Sequence, residues 1–169
     1  MMHTRLKITL GFAAILGFQA TNVYAADAMA RLHDIVGENV GQVLLTDTPH
    51  GTLLHLNLRD MPPGVHAFHV HETGKCIPPF TSAGGHFNPT GGEHGIMNDD
   101  GMHAGDMPNL HVPENGELEQ EVLNTSFSLN EELFDDDGAA IVIHMGPDDY
   151  KTDPAGAAGP RIACGVIEE

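Results

Sequence analysis

Basic side chains are scarce in this sequence of 169 residues. It holds 7 Lys and Arg against 24 Asp and Glu, so its formal net charge is −17 with histidine neutral. A surface this acidic repels other polyanions, which argues against nucleic acids and anionic membranes as partners. The same acidity favours solubility, and that general role accounts for much of it.

Long apolar runs are absent beyond the N-terminal segment. That segment has a short basic stretch containing Arg5 and Lys7, an apolar run over 8–18 and a small-residue site that ends at Ala25. This order is typical of a secretory signal peptide, and the run is shorter than the roughly 20 residues that span a bilayer. We therefore expect a signal peptide over 1–25, against the alternative of a membrane anchor, and one mature domain over 26–169.

Cysteine is scarce as well, and its two copies, Cys76 and Cys164, both fall in the part predicted to be exported. An even count in an oxidising compartment favours one disulfide. In the chain-entropy model, closing so long a loop is worth about 4 kcal/mol. The alternative is a pair of thiolate metal ligands, although neither cysteine belongs to a C-x-x-C pair.

No long amphipathic helix is visible in 26–169. Short apolar or alternating segments are separated by turn signals instead, which predicts the strands of a sandwich or barrel. The predicted strands cover 40–46, 54–58, 65–71, 118–122, 139–144 and 161–167. Two Gly- and Pro-rich stretches, 72–106 and 145–160, interrupt them. Irregular loops of such length in a compact domain usually have a function.

Seven candidate metal ligands lie in or beside these loops: His69, His71, His86, His94, His103, Asp106 and His144. His69 and His71 share one face of a predicted strand, because side chains alternate along a strand. Imidazole-rich sites suit copper or zinc. A set of three histidines and one aspartate satisfies tetrahedral zinc with no open position. If His86 serves two ions, its two ring nitrogens must bridge them.

Four segments show a further pattern: GVHAFHVH at 64–71, GHFNP at 85–89, HAGD at 103–106 and RIACGVI at 161–167. Together they make the sequence resemble a copper/zinc superoxide dismutase over essentially all of 26–169. The five-residue step from His71 to Cys76 is similar to the bacterial periplasmic type. The resemblance implies an all-β, eight-stranded Greek-key barrel or sandwich, immunoglobulin-like, with two long loops forming the metal site.

The resemblance also implies a role for particular residues. The copper ligands would be His69, His71, His86 and His144, and the zinc ligands would be His86, His94, His103 and Asp106. Arg161 would stand beside the copper and orient superoxide, and His86 would take part in catalysis as the bridge. Asp148 would link a copper histidine to a zinc histidine, and Cys76 would be bonded to Cys164.

The implied activity converts two superoxide ions and protons to dioxygen and hydrogen peroxide by Cu(II)/Cu(I) cycling, with one copper and one zinc ion per subunit. The expected location is periplasmic or secreted, where the enzyme would protect the periplasm against oxidative damage. Superoxide is then the partner, with no nucleic acid and no membrane after signal cleavage; monomer and homodimer both stay open. The alternative is a non-enzymatic periplasmic copper/zinc-binding or copper-chaperone domain on the same fold, which would not need every copper ligand and Arg161.

Overall fold

The computed structural model describes residues 26–130 and 132–169, so the signal peptide predicted over 1–25 lies outside the described residues. In the described part the chain forms β-strands and one short 3-10 helix, Thr81–Ala83. The strands are β1 (Ala28–Asp34), β2 (Asn39–Thr48), β3 (Gly51–Leu58), β4 (Gly64–His66), β5 (Phe68–His71), β6 (Leu110–Val112), β7 (Leu118–Asn124), β8 (Ala140–His144) and β9 (Arg161–Glu168). Across the same residues, no helix is long and apolar enough to cross a membrane.

Seven of the strands form one antiparallel sheet in the order β5-β8-β9-β1-β2-β3-β7, and β4 pairs with β6. The neighbours β3 and β7 are far apart in sequence, as a Greek-key connection requires. The predicted strand 65–71 is present as β4 and β5, separated at Ala67. The all-β class predicted from the sequence is confirmed, and the expected eight strands appear as nine segments because of this break.

All six predicted strands are present, and the sequence missed two others. In β1 the buried positions hold the small residues Ala28 and Ala30 besides Leu32, so the apolar alternation is weak. In β6 the segment is only three residues long. A single sequence therefore does not distinguish these two strands from loops.

One core holds the sheet together. In β3 the alternating Leu54, Leu56 and Leu58 are fully buried. At the other end of the sheet, Phe68 of β5 and Ile141 of β8 are buried in the same core. Burying a side chain of this kind stabilises the fold by about 1.5–3 kcal/mol.

The edge strand β5 is where the long loop meets the barrel. The loop after it folds back, and Val70 accepts a hydrogen bond from the Phe87 amide at 2.8 Å and donates one to the Gly105 carbonyl at 3.0 Å. A disulfide between Cys76 in the loop and Cys164 of β9 attaches the loop to the sheet, with their Cα atoms 5.6 Å apart. This confirms the predicted disulfide and excludes the alternative of thiolate ligands.

Candidate metal centre

Two paired strands present three imidazoles. Phe68 and Val70 of β5 face the core, so His69 and His71 project from the opposite face. The neighbouring strand β8 ends at His144, whose ring centroid lies 5.2 Å from that of His69 and 5.9 Å from that of His71. The sheet therefore holds these three rings on rigid elements.

A fourth imidazole comes from the loop. Phe87 is anchored by its buried ring and by its backbone hydrogen bond to Val70. Its neighbour His86 forms an isolated β-bridge with His71. The His86 ring stacks on the His69 ring with centroids 4.0 Å apart.

These four rings form the first cluster: His69, His71, His86 and His144. One nitrogen of each ring lies within 4.8 Å of the other three. In the described parts of the chain, the buried side-chain polar atoms without a hydrogen-bond partner are Nδ1 of His69 and Nε2 of His71, His86 and His144. An unsatisfied buried polar group costs about 1–3 kcal/mol, so four in one place would be a costly defect. A bound cation would use all four lone pairs.

The opposite nitrogens of the three strand-borne rings are fixed by hydrogen bonds. The pairs are His69 Nε2 with Asp148 Oδ2 at 2.8 Å, His71 Nδ1 with Gly84 O at 3.1 Å and His144 Nδ1 with Gly159 O at 3.2 Å. All three partners are acceptors, so each ring donates its N–H away from the cluster. The remaining nitrogen keeps its lone pair for a metal, the arrangement that metal-binding histidines usually show.

Burial keeps these three rings neutral. It is the main cause that lowers the pKa of His69 to about 3, of His71 to about 2 and of His144 to about 4. The positive charge of Arg161 lowers the pKa of His71 and His144 further. Neutral imidazole is the form that binds metals.

The second cluster consists of His86, His94, His103 and Asp106, all of them buried. Asp106 Oδ1 lies 2.8 Å from His86 Nδ1, 3.0 Å from His94 Nδ1 and 3.5 Å from His103 Nδ1. The Nδ1 atoms of His86 and His103 are 3.3 Å apart. Ligands at about 2.0 Å from one tetrahedral zinc ion are separated by roughly 3.3 Å, so this set fits zinc.

Charge in the second cluster is balanced between carboxylate and imidazole. Burial opposes the charged form of His94, yet hydrogen bonds to Asp106 and Asp148 raise its pKa to about 9. Burial also opposes ionisation of Asp106, but hydrogen bonds from His86 and His94 hold the pKa of this carboxyl well below its usual range. In the metal-free protein, the cluster therefore pairs a buried carboxylate with a protonated imidazole.

Asp148 connects the two clusters. Its Oδ2 accepts from His69 Nε2 at 2.8 Å, and its Oδ1 lies 3.0 Å from His94 Nε2. Asn109 holds the backbone of Asp148 in place, because its amide donates to the Asp148 carbonyl at 2.9 Å and accepts from the Asp148 amide at 2.8 Å. Tyr150 adds a hydrogen bond from its amide to Asp148 Oδ1 at 2.6 Å.

Arg161 begins β9, the strand next to β8. Its guanidinium donates from Nη1 to the Phe80 carbonyl and from Nη2 to the Gly84 carbonyl, both at 2.6 Å. Gly84 also accepts from His71, so the guanidinium shares an acceptor with the first cluster. A fixed positive charge thus stands beside the four nitrogens.

The structure brings every site residue predicted from the sequence to this one region. It also assigns structural roles to residues that the sequence did not single out: Phe80, Asn109, Tyr150 and Gly156. An alanine at Gly156 would overlap the Asp148 carboxylate, and the position has a φ of +64°. The glycine-rich composition of 145–160 was the only hint, because each role depends on a contact between distant segments.

An all-β barrel with two adjacent nitrogen-rich clusters that share one histidine defines a protein with a binuclear metal centre. Known proteins with this combination are similar to the chain in sequence. The family model described as copper/zinc superoxide dismutase matches residues 39–167. Superoxide dismutase [Cu-Zn] 2 of Aquifex aeolicus is 51% identical over 83% of this chain and 85% of its own length. Superoxide dismutase [Cu-Zn] of Caulobacter vibrioides is 42% identical over 85% of this chain and 86% of its own length.

Solved structures of related proteins have the same fold. Copper/zinc superoxide dismutase from Brucella abortus superposes with a TM-score of 0.73 at 29% identity, covering 84% of this chain and all of that one. A superoxide dismutase-like protein from Bacillus subtilis gives a TM-score of 0.78 at 37% identity, covering 82% of this chain and 96% of that one.

The chain belongs to the copper/zinc superoxide dismutase family. Membership implies one copper and one zinc ion per subunit, and the two clusters fit these ions. The disulfide and the bacterial relatives indicate a protein of the extracytoplasmic type.

Proposed function

We propose that this chain is a superoxide dismutase, which converts two superoxide ions and two protons to dioxygen and hydrogen peroxide. The observation that carries the proposal is the first cluster. Its four partnerless nitrogens lie around one point, and the fixed guanidinium of Arg161 stands beside them. A redox metal next to a fixed positive charge suits a small anionic substrate that exchanges single electrons.

The first cluster is the proposed copper site: His69, His71, His86 and His144. The second is the proposed zinc site: His86, His94, His103 and Asp106. Three histidines and an aspartate close the coordination of tetrahedral zinc, which marks a structural ion. The all-nitrogen set suits copper, and two of its ligands lie on one rigid strand.

When bound, copper supplies the electron exchange by cycling between Cu(II) and Cu(I), and zinc stays redox-silent. The chain's own residues do the rest. Arg161 attracts the superoxide anion and orients it, since its guanidinium is held by the Phe80 and Gly84 carbonyls. His86 belongs to both clusters, so it can take up a proton at Nε2 and pass it to the peroxide product.

Location and assembly follow from the same proposal. Residues 1–25 would act as a cleaved signal peptide, leaving a mature domain over 26–169 that protects the periplasm against oxidative damage. The protein would be periplasmic or secreted and free of the membrane after cleavage. The disulfide supports export, because such bonds persist in oxidising compartments. Gel filtration with light scattering of the mature protein decides between monomer and homodimer.

The test is metal analysis together with an activity assay on mature protein matured in a copper-replete periplasm. We expect one copper and one zinc per chain and rapid consumption of superoxide. His86→Ala should uncouple the two ions, change the copper spectrum and abolish most activity. The matched control is His111→Ala, because His111 is exposed in β6 and outside both clusters.

Two results would contradict the proposal. Wild-type protein that holds both metals but does not consume superoxide would favour a copper-chaperone or metal-binding domain instead. A His86→Ala variant with the wild-type copper spectrum and activity would show that His86 does not bridge the two sites.

A further inference from the structure

Phe80 has an unusual backbone. It lies at φ +71° and ψ +11°, in the left-handed region, and it immediately precedes the 3-10 helix Thr81–Ala83. This region is unfavourable for any residue with a Cβ atom, and bulky side chains are rare there. Glycine would adopt it freely, because it has no Cβ atom. A phenylalanine at this position therefore needs a compensating interaction.

The compensation is burial of the ring. Phe80 is 1% exposed and packs in a small apolar group apart from the main core. We call this group the disulfide cluster; it contains Phe80, Ala83, Ala140, Val142 and Cys164, with Cys76 packed against it. Its members come from the metal loop, β8 and β9. The ring therefore fastens the loop to the two strands that end at His144 and begin at Arg161.

The left-handed backbone of Phe80 directs its carbonyl toward Arg161. The carbonyl accepts from the Ala83 amide at 3.1 Å and from Arg161 Nη1 at 2.6 Å. The Gly84 carbonyl, at the other end of the helix, accepts from Arg161 Nη2 at 2.6 Å. The one-turn helix thus holds two acceptors at a spacing that matches the fork of a guanidinium.

We propose that Phe80 is a positioning residue for the dismutation reaction: its buried ring fixes a carbonyl that holds the Arg161 guanidinium beside the first cluster. The two acceptors have different supports. The Gly84 carbonyl also accepts from His71 of β5, whereas Phe80 is held by the disulfide cluster. The ring of Phe80 is thus the link through which packing around the disulfide sets the position of the arginine. A measurement of superoxide consumption depends on the proposed function, whereas the chemical modification of Arg161 does not.

The first measurement is the rate at which phenylglyoxal, an arginine-specific dicarbonyl, modifies Arg161 in the metal-loaded protein, followed by peptide mass analysis. Phe80→Gly accepts the same φ but lacks the ring. We expect it to make Arg161 several-fold more reactive, while Arg31 and Arg59 in the same sample are modified at the wild-type rate. Val43→Ala is the control, because it truncates a buried side chain of the main core and leaves the disulfide cluster and both acceptors of Arg161 intact. It should leave Arg161 protected.

The second measurement is a double-mutant cycle on superoxide consumption at equal metal content. Phe80→Gly alone should lower kcat/KM on the order of tenfold, within the roughly 10²-fold that a 1 Å misplacement can cost. In an Arg161→Ala background the same substitution should cost nothing more, since the group that it positions is gone. A general structural defect would lower both backgrounds by the same factor.

Unchanged reactivity of Arg161 in Phe80→Gly, or additive losses in the cycle, would overturn the proposal. If Phe80→Gly does not retain its metals, Phe80→Leu replaces it in both measurements, with a smaller expected increase in reactivity because part of the apolar volume remains. A wild-type protein without superoxide consumption would refute the proposed function, and the phenylglyoxal rates would still decide the role of Phe80.

Discussion

At the scale of single residues, the geometry around Asp148 shows how little freedom the centre has. One carboxylate pairs with a histidine from each cluster, Oδ2 with His69 and Oδ1 with His94. Its backbone is clamped on both sides by the Asn109 amide. The two proposed metal sites are therefore coupled through one carboxylate that is hydrogen-bonded to a proposed ligand of each, and small shifts of Asp148 should affect both.

Gly156→Ala tests this coupling. The added Cβ would overlap the Asp148 carboxylate and come within 2.9 Å of His94 Nε2. We expect faster loss of zinc to a chelator and a changed copper spectrum. Unfolding free energy should also fall by about 1–2 kcal/mol from the left-handed backbone alone.

Gly91→Ala is the matched control for that substitution. It imposes a similar strain at φ +70°, but its Cβ would meet no atom within 4 Å. Comparing the two variants isolates the effect on Asp148. Equal zinc release from both would show that only backbone strain matters.

Acid should destabilise the metal-free protein through the strand-borne histidines. Burial lowers the pKa of His69, His71 and His144 to between about 2 and 4, from 6.5 in the unfolded chain. The folded state does not bind protons that the unfolded state binds, so the contribution of these three rings to stability is complete above pH 6.5 and is lost progressively as pH falls from 6.5 toward 2 to 4. The slope approaches about 1.4 kcal/mol per pH unit for each ring.

Urea unfolding of the metal-free protein between pH 4.5 and 7.5 measures this slope. His144→Gln removes one of the three rings and should reduce the slope, whereas His111→Gln should not, because His111 is exposed. A stability that stayed level from pH 7.5 to 4.5 would mean that these rings are not held neutral.

Among the residues, those with metal-binding chemistry were predictable and their supports were not. His69 and His71 are two apart on a strand, so alternation alone placed them on one face. Phe80, Asn109 and Tyr150 act through backbone groups or through contacts with distant segments. Their side-chain types carry no trace of such roles.

At the scale of elements, the long loop 72–106 has little regular structure of its own, and its order comes from what it touches. Its second half pairs with the open edge of β5 through Val70. Its first half is attached to β9 by the disulfide and to β8 by packing of Phe80. The two proposed metal ions would complete this set of restraints.

Removing the disulfide should therefore loosen the loop and weaken zinc retention. In Cys76→Ser/Cys164→Ser we expect a loss of about 2–4 kcal/mol of unfolding free energy. Zinc should also pass faster to a chelator, because all four of its proposed ligands lie in the loop 72–106. Unfolding curves and chelator kinetics measure the two effects, and unchanged zinc kinetics would show that the pairing with β5 holds the loop alone.

The strands with clear alternation were predictable because half-buried sheets leave a period of two in the sequence. Leu54, Leu56 and Leu58 in β3 show this pattern. The weakly patterned β1 and the short β6 were not predictable, since their strand character comes from pairing with β2 and β4. The break at Ala67 also depends on partners, because its amide and carbonyl pair with Gly146 and His144.

At the scale of the whole molecule, the net charge opposes the substrate. Loss of Arg5 and Lys7 with the predicted signal peptide would lower the charge from −17 to −19. A uniformly acidic surface would slow the arrival of superoxide. The net charge alone does not set the rate, because the positions of the few positive charges also shape the field at the site.

Residues 26–169 contain only five Lys and Arg: Arg31, Arg59, Lys75, Lys151 and Arg161. Arg161 lies beside the first cluster, and Lys75 and Lys151 are exposed in the two loops that border it. A bound copper ion would add positive charge at the same place. A cleft can focus such local charges even on a molecule of opposite overall sign, and superoxide dismutases are a known example.

If the local charges dominate, added salt should slow the reaction. The Debye length falls from about 30 Å at 0.01 M to about 10 Å at 0.1 M, so salt screens the attraction between the site and the approaching anion.

Arg161→Ala should lose much of the activity while keeping both metals, and Arg161→Glu should lose more. Lys151→Glu should lower the rate modestly and weaken its salt dependence, because Lys151 acts only at a distance. Stopped-flow or pulse-radiolysis rates across this range of salt decide the matter: a rate that rose with salt would mean that the charge of the whole molecule outweighs the attraction at the site.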